Sequence, residues 1–308
     1  MRAAGTTRRE WLIGVVPAAW LGVGLCWVIA RPGGPEMDAA ASAVAICAAI
    51  AVLGLTSLRV LGGEPTEPRA LQMVAILAGV WFAAALVAAW LGVAERTGRS
   101  PGAVGLSDFV RVSGVTPALI GTGCALVVAV FAVVWMFRPT MAAPEAAAAV
   151  TALGLLIGPV TGHLGQQTGG PVLVAVHVLA AGWWCGGLAA LALTVRGRKG
   201  WATSLPLFSG YAQWCVLVLF LTGVVAAFLE LDSLGELTTT GYGRILLAKS
   251  AGLAMLIIVA FRQRTTWLPA ARAHRTGEEV SLRRAITEVM LMAVVIGLAA
   301  GLGTTAPN

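Results

Sequence analysis

The sequence predicts an all-α, polytopic membrane bundle of about nine transmembrane helices, and three observations predict it. First, only 11% of the 308 residues are charged, 58% are hydrophobic, and the mean hydropathy is +0.86. A soluble domain carries about 25% charged residues, so this chain cannot clothe a water-facing surface and takes lipid as its solvent. Second, nine segments reach the roughly 20 mostly apolar residues that a spanning helix needs. Third, Lys and Arg are unevenly shared between alternate connectors, as expected of a membrane protein with one cytoplasmic face.

The spans fall at 11–30, 39–60, 71–94, 114–137, 145–165, 171–195, 211–229, 244–261 and 285–303. The first follows Arg8-Arg9-Glu10 and stops at Arg31-Pro32. That start is similar to a twin-arginine signal. However, the apolar stretch is long enough to span and no small-residue cleavage site follows it, so an uncleaved helix is expected. The second is an Ala-rich run closed by Arg59, and the third opens after Pro65 and Pro68-Arg69. The fourth is entered through Asp108-Phe109-Val110-Arg111 and ends at Arg138-Pro139. The fifth follows Pro144-Glu145, and the sixth starts at Pro171 and closes before Arg196. The seventh runs to Glu230, the eighth is entered through Arg244, and the ninth follows Arg283-Arg284. Pro32, Pro65, Pro68, Pro139, Pro171 and Pro269 punctuate the connectors as helix breakers. The stretch 262–284 reads as the longest basic loop.

With nine spans, the N-terminus and the even-numbered loops share one side, which carries fifteen Lys and Arg against five on the other. The N-terminus is therefore expected in the cytoplasm and the C-terminus outside. The net charge of +7 follows from this asymmetry. It needs no nucleic-acid partner, and no basic run interleaved with aromatics is present. A weak parallel repeat is also legible. Val87-Ala88-Ala89-Trp90-Leu91 recurs as Val225-Ala226-Ala227-Phe228-Leu229, each followed by an outer loop and a helix entered through an arginine. The reading divides the chain into a four-helix half, 1–144, and a five-helix half, 145–308.

No Walker loop, HExxH or nucleophile elbow is present, so no enzyme is predicted. Ionisable side chains within spans are costly and are functional candidates by default. His163 ends the fifth span and His177 begins the sixth, which places both imidazoles toward the outer face on neighbouring helices. Imidazole suits copper, zinc, iron and nickel. Alternatively, both histidines are satisfied by backbone or water. Cys26 and Cys47 are the soft side chains at similar depth, although ordinary packing also accounts for them. Tyr242, Arg244 and Lys249 form an outer group, either snorkelling to the interface or pairing with Glu230, Asp232 or Glu236 as an entrance. Glu288 pairs with Arg284 one turn away or serves as an exit-side ligand.

Several ordered motifs carry a family resemblance. Val176-His177-Val178-Leu179-Ala180-Ala181-Gly182-Trp183-Trp184-Cys185-Gly186-Gly187-Leu188 resembles the LHLLAAALWLGGLL signature of the copper-resistance D (CopD/PcoD) membrane family. Thr161-Gly162-His163 resembles its TGHA element, and Leu207-Phe208-Ser209 its RFS stretch. Thr239-Thr240-Gly241-Tyr242-Gly243-Arg244-Ile245-Leu246-Leu247-Ala248-Lys249 resembles TTxYGRLLLxK, and Arg283-Arg284 before Glu288 fits the last helix. The resemblance covers about 150–305. It implies copper handling in a bacterial cytoplasmic membrane beside a periplasmic CopC-like carrier, with His163 and His177 at a periplasm-facing metal site. Two readings stand beside copper uptake. One is a haem-binding redox protein, with the two histidines as axial ligands. The other is a membrane scaffold for oxidase or envelope assembly.

Overall fold

Helices account for nearly the whole chain because lipid offers no partner to a backbone N–H or C=O, so each segment must satisfy its own. The computed structural model describes residues 3–114, 116–231, 233 and 235–305, with backbone alone for 3–12. Its helices are α1 (Ala3–Ile29), α2 (Ala39–Thr56), α3 (Pro68–Thr97), α4 (Leu106–Ser113), α5 (Pro117–Phe137), α6 (Pro144–Thr161), α7 (Gly170–Thr194), α8 (Gly197–Glu230), α9 (Glu236–Thr239), α10 (Gly241–Arg272) and α11 (Glu278–Gly303). Among the described residues there is no strand. Among the described residues eight helices are long and apolar enough to cross a membrane: α2, α3, α5, α6, α7, α8, α10 and α11. The first of the expected spans corresponds to a shorter apolar stretch, Ile13–Ile29 within α1.

The helices alternate between two faces, and contacts at each face tie them together. The face that carries most of the Lys and Arg, the basic face, has an ion pair between Arg59 after α2 and Glu145 at the start of α6. There Trp267 Nε1 also donates to Ser281 Oγ at 3.1 Å, joining α10 to α11. The opposite face, which holds the histidines, has Met37 N donating to Glu95 Oε2 at 2.9 Å and Gln167 Nε2 donating to Leu229 O at 3.1 Å.

Two boundaries differ instructively from the hydropathy reading. The basic loop expected over 262–284 is mostly helix. α10 continues to Arg272, through Pro269, and α11 begins at Glu278. Likewise α8 starts at Gly197, well before 211. Charged residues end a hydropathy window, but Arg, Lys, Gln and Ala are among the best helix formers. The repeat is also unequal in structure. Arg111 lies on the separate short helix α4 and pairs with Asp108 at 3.0 Å, whereas Arg244 sits in the first turn of the long α10.

α2 is the centre of the bundle, packed against α3, α6, α7 and α11. Membrane helices associate without a hydrophobic drive between them, so small residues that let backbones approach are favoured. A Cβ added at Gly54 of α2 would lie 1.9 Å from the Gly186 carbonyl oxygen of α7. α1 and α11 meet the same way, where a Cβ on Gly22 would lie 2.1 Å from Val294 O. The main core cluster runs from Ala45 in α2 to Met292 in α11 and so draws on both halves of the chain.

The link from α1 to α2 carries a pH-sensitive feature. Burial raises the Asp38 carboxyl above its ordinary value, and nearby Glu95 adds to this, although Ser42 Oγ donates to it at 3.3 Å. Glu36 is raised by burial and then by Glu95 and Asp38. A carboxyl raised on folding penalises the folded state once ionised, so stability grows as pH falls through the raised value and levels off below the unfolded one. Asp38→Asn is therefore expected to raise the thermal midpoint at neutral pH. That advantage should disappear by about pH 4, near the ordinary carboxyl value. A constant offset at all pH values would show that ionisation of Asp38 is not the cause.

Candidate metal-capture site

The histidines stand at different heights. α6 ends at Thr161, so His163 lies past it, exposed, at the head of the short 3₁₀ turn Leu164–Gln166. His177 is on α7, seven residues in from Gly170. At 1.5 Å per residue that is about 10 Å into the bundle from the start of the helix. The loop between them folds tightly back: a Cβ on Gly170 would lie 1.8 Å from Leu164 O, and Gln167 anchors the loop to the end of α8.

His177 is half-buried, and its Nδ1 lies 2.8 Å from Thr222 Oγ1 of α8. The direction of this bond follows from the other bond Thr222 makes. Thr222 Oγ1 donates to Val218 O at 2.6 Å, the usual back-bond of a helical threonine. A hydroxyl has one proton, so toward His177 its oxygen accepts. Nδ1 therefore carries the ring proton, and Nε2 keeps its lone pair. A hydrogen bond that fixes the tautomer and orients the ring is how proteins prepare a histidine for a metal. Thr222, eight residues from the end of α8, was not among the residues singled out from sequence. The one signal for it is a polar side chain, buried here, in the apolar run Val216–Val225.

Lys249, eight residues into α10, lies within electrostatic range of His177 and forms no hydrogen bond or ion pair among the described residues. Arg244 is engaged with backbone. Its Nε donates to Ile29 O at 2.6 Å and its Nη2 to Arg31 O at 2.8 Å, while Nη1 reaches Thr238 O and Thr239 O. Through these carbonyls it closes the end of α1 onto the start of α10. Tyr242 lies within electrostatic range of one acidic residue of the expected entrance, Glu230. Asp232 falls outside the described residues. Cys26 is buried against α11, its Sγ 3.7 Å from Leu298 O and close under Gly301. Cys47 is half-buried in α2, within electrostatic range of Cys185 on α7, which is also in range of Cys215 and Glu288. Glu288 lies deeper, ten residues in from the basic end of α11, and forms no pair with Arg284. Among the described residues, no three or more His, Cys, Asp or Glu side chains are grouped so as to hold a metal ion. The structure thus brings His177, Thr222 and Lys249 to one level, with His163 above them and Glu288 well below.

Comparison with known proteins bears on the helices that form this arrangement. Residues 202–302 match the family model of copper resistance protein D. The CopD match takes in Thr222, Arg244, Lys249 and Glu288, from most of α8 to the end of α11. A curated relative, the copper transport protein CutJ of Bacillus subtilis (strain 168), is 26% identical over 166 residues. That alignment takes in half of this chain and 29% of the relative, so the chain spans under a third of the length of the relative it matches. No solved structure matches significantly.

Proposed function

We propose that this chain takes copper up across a bacterial cytoplasmic membrane from the face that carries His163 and His177. The observation that carries the reading is the Thr222–His177 bond, which leaves the His177 Nε2 free to bind a metal. The CopD match and the likeness to a copper transport protein support copper as the cargo. Imidazole is a good copper donor. The height difference between the histidines favours stepwise capture, first at the exposed His163 and then at His177. It does not favour one haem clamped between the two rings. A cargo must leave again, so binding at a transport site is weak enough to release. An open two-histidine arrangement meets that need better than a closed cage. By the charge asymmetry, the basic face is cytoplasmic. The histidine face would then receive copper from a small soluble carrier of the CopC kind.

The test is metal analysis of the purified chain after exposure to copper, with His163→Ala, His177→Ala and the double variant in parallel. Copper retained by the unaltered chain and lost stepwise in the variants is the expected result. Equal copper in all four would overturn the reading, and a Soret band in the untreated protein would replace it with the haem one.

A further inference from the structure

A cavity of about 400 Å³ lies between α7, α8, α10 and α11 in the half of the bundle nearer the basic face. Its walls are largely apolar, with Trp184 and Phe208 among them, and its polar lining includes Gln213, Gln263, Arg264 and Glu288. Gln213 and Arg264 are exposed, so they mark its mouth. Two features of the lining call for an occupant. Glu288 is only 3% exposed and has no hydrogen-bond or ion-pair partner among the described residues. On the facing helix, Gln263 Oε1 is buried and also lacks a donor. A carboxylate without a partner in the membrane interior is costly, and such residues commonly mark ion or proton pathways.

The surroundings select the occupant. The cavity lining offers a metal ion one anionic ligand, Glu288, and no imidazole or thiol beside it. Arg264 on α10 further disfavours a metal cation in the same cavity, where its Nη1 donates to Ser209 O at 3.2 Å. A proton needs the carboxylate alone. Of the other titratable groups, Cys185 on α7 lies within electrostatic range of Glu288, Cys47 on α2 and Cys215 on α8 lie within range of Cys185, Tyr211 on α8 lies within range of Cys215, and Arg284 is one turn earlier on α11. Among the described residues none forms a hydrogen bond or ion pair with the Glu288 carboxylate.

We propose that Glu288 binds and releases a proton through this cavity, as the coupling site for cargo movement. The proton site stands on the cavity, while the coupling rests on the transport reading above. The first measurement is the pH-difference infrared spectrum of the whole 308-residue chain in lipid discs. The unaltered protein should show a protonated-carboxyl band that exchanges with pH and is missing in Glu288→Gln. Glu288→Asp should restore the band at a shifted frequency, which separates loss of the group from loss of the fold. Identical difference spectra for the unaltered and Gln proteins would overturn the proposal.

The second measurement is copper uptake by vesicles with and without an imposed pH gradient. The gradient should change the rate several-fold for the unaltered chain and not at all for Glu288→Gln. An equal response in both would overturn the coupling. If the unaltered chain takes up no copper but keeps the infrared band, the transport reading fails, coupling falls with it, and the proton site remains.

Discussion

Thr222→Val is expected to weaken copper retention by about ten- to a hundredfold while leaving the bundle folded, the range typical of removing a partner that orients a metal-binding histidine. Valine keeps the size of threonine but offers no oxygen to the His177 Nδ1 proton. The ring then loses both its preferred tautomer and its fixed orientation. His177→Ala should show a larger loss, because it removes the donor itself. Thr222→Ser should recover most of the affinity, since serine can donate to the Val218 carbonyl and still accept from the imidazole. Competition with a chromophoric copper chelator measures all three. Retention by Thr222→Val equal to that of the unaltered chain would detach Thr222 from metal capture and reduce its bond to packing.

Gly54→Val should be among the most destabilising single changes in the bundle. Overpacking a well-filled interior typically costs about 1–3 kcal/mol, occasionally more, and the upper end is expected here. The group in the way is the backbone of Gly186, at 1.9 Å from a new Cβ, and no flexible side chain can yield. The α2–α7 crossing would have to open. Gly186→Val should act alike, with its Cβ 2.3 Å from Ile50 O. Gly79→Ala is the control, because nothing lies within 4 Å of that position. Thermal unfolding in detergent should rank Gly54→Val and Gly186→Val far below the unaltered chain and Gly79→Ala close to it. Equal midpoints would mean that the two helices are not in backbone contact.

How much of this was legible in the sequence depended on the range of the interaction. The spans were readable because each is a local property of about twenty consecutive residues. The basic ends of α8 and α10 were not. Arg196, Arg198 and Lys199, like Arg262, Arg264 and Arg272, lower hydropathy without lowering helix propensity. His177 was conspicuous as a polar ring in an apolar run, but its partner is 45 positions away. A threonine in an apolar helix ordinarily back-bonds to its own carbonyls, so Thr222 gave no local sign of a second role. Arg244 was visible as an interfacial cation, yet carbonyls of the α1 terminus, more than 200 positions distant, are not a pattern a sequence displays. Glu288 stood out as a buried acid. Its cavity did not, because three other helices contribute to the walls.

The glycine crossings have a mechanical consequence. They sit on α2, α7, α1 and α11, while α8 and α10 bury few residues and turn most of their surface outward. Backbone contact is therefore unevenly distributed: a keel whose helices meet backbone to backbone on one side, and a flank held through side chains on the other. Thr222 and Lys249 ride on the flank, and His177 and Glu288 ride on the keel. A shift of the flank against the keel would change the spacing of Thr222 and Lys249 from His177, while the keel itself keeps its shape.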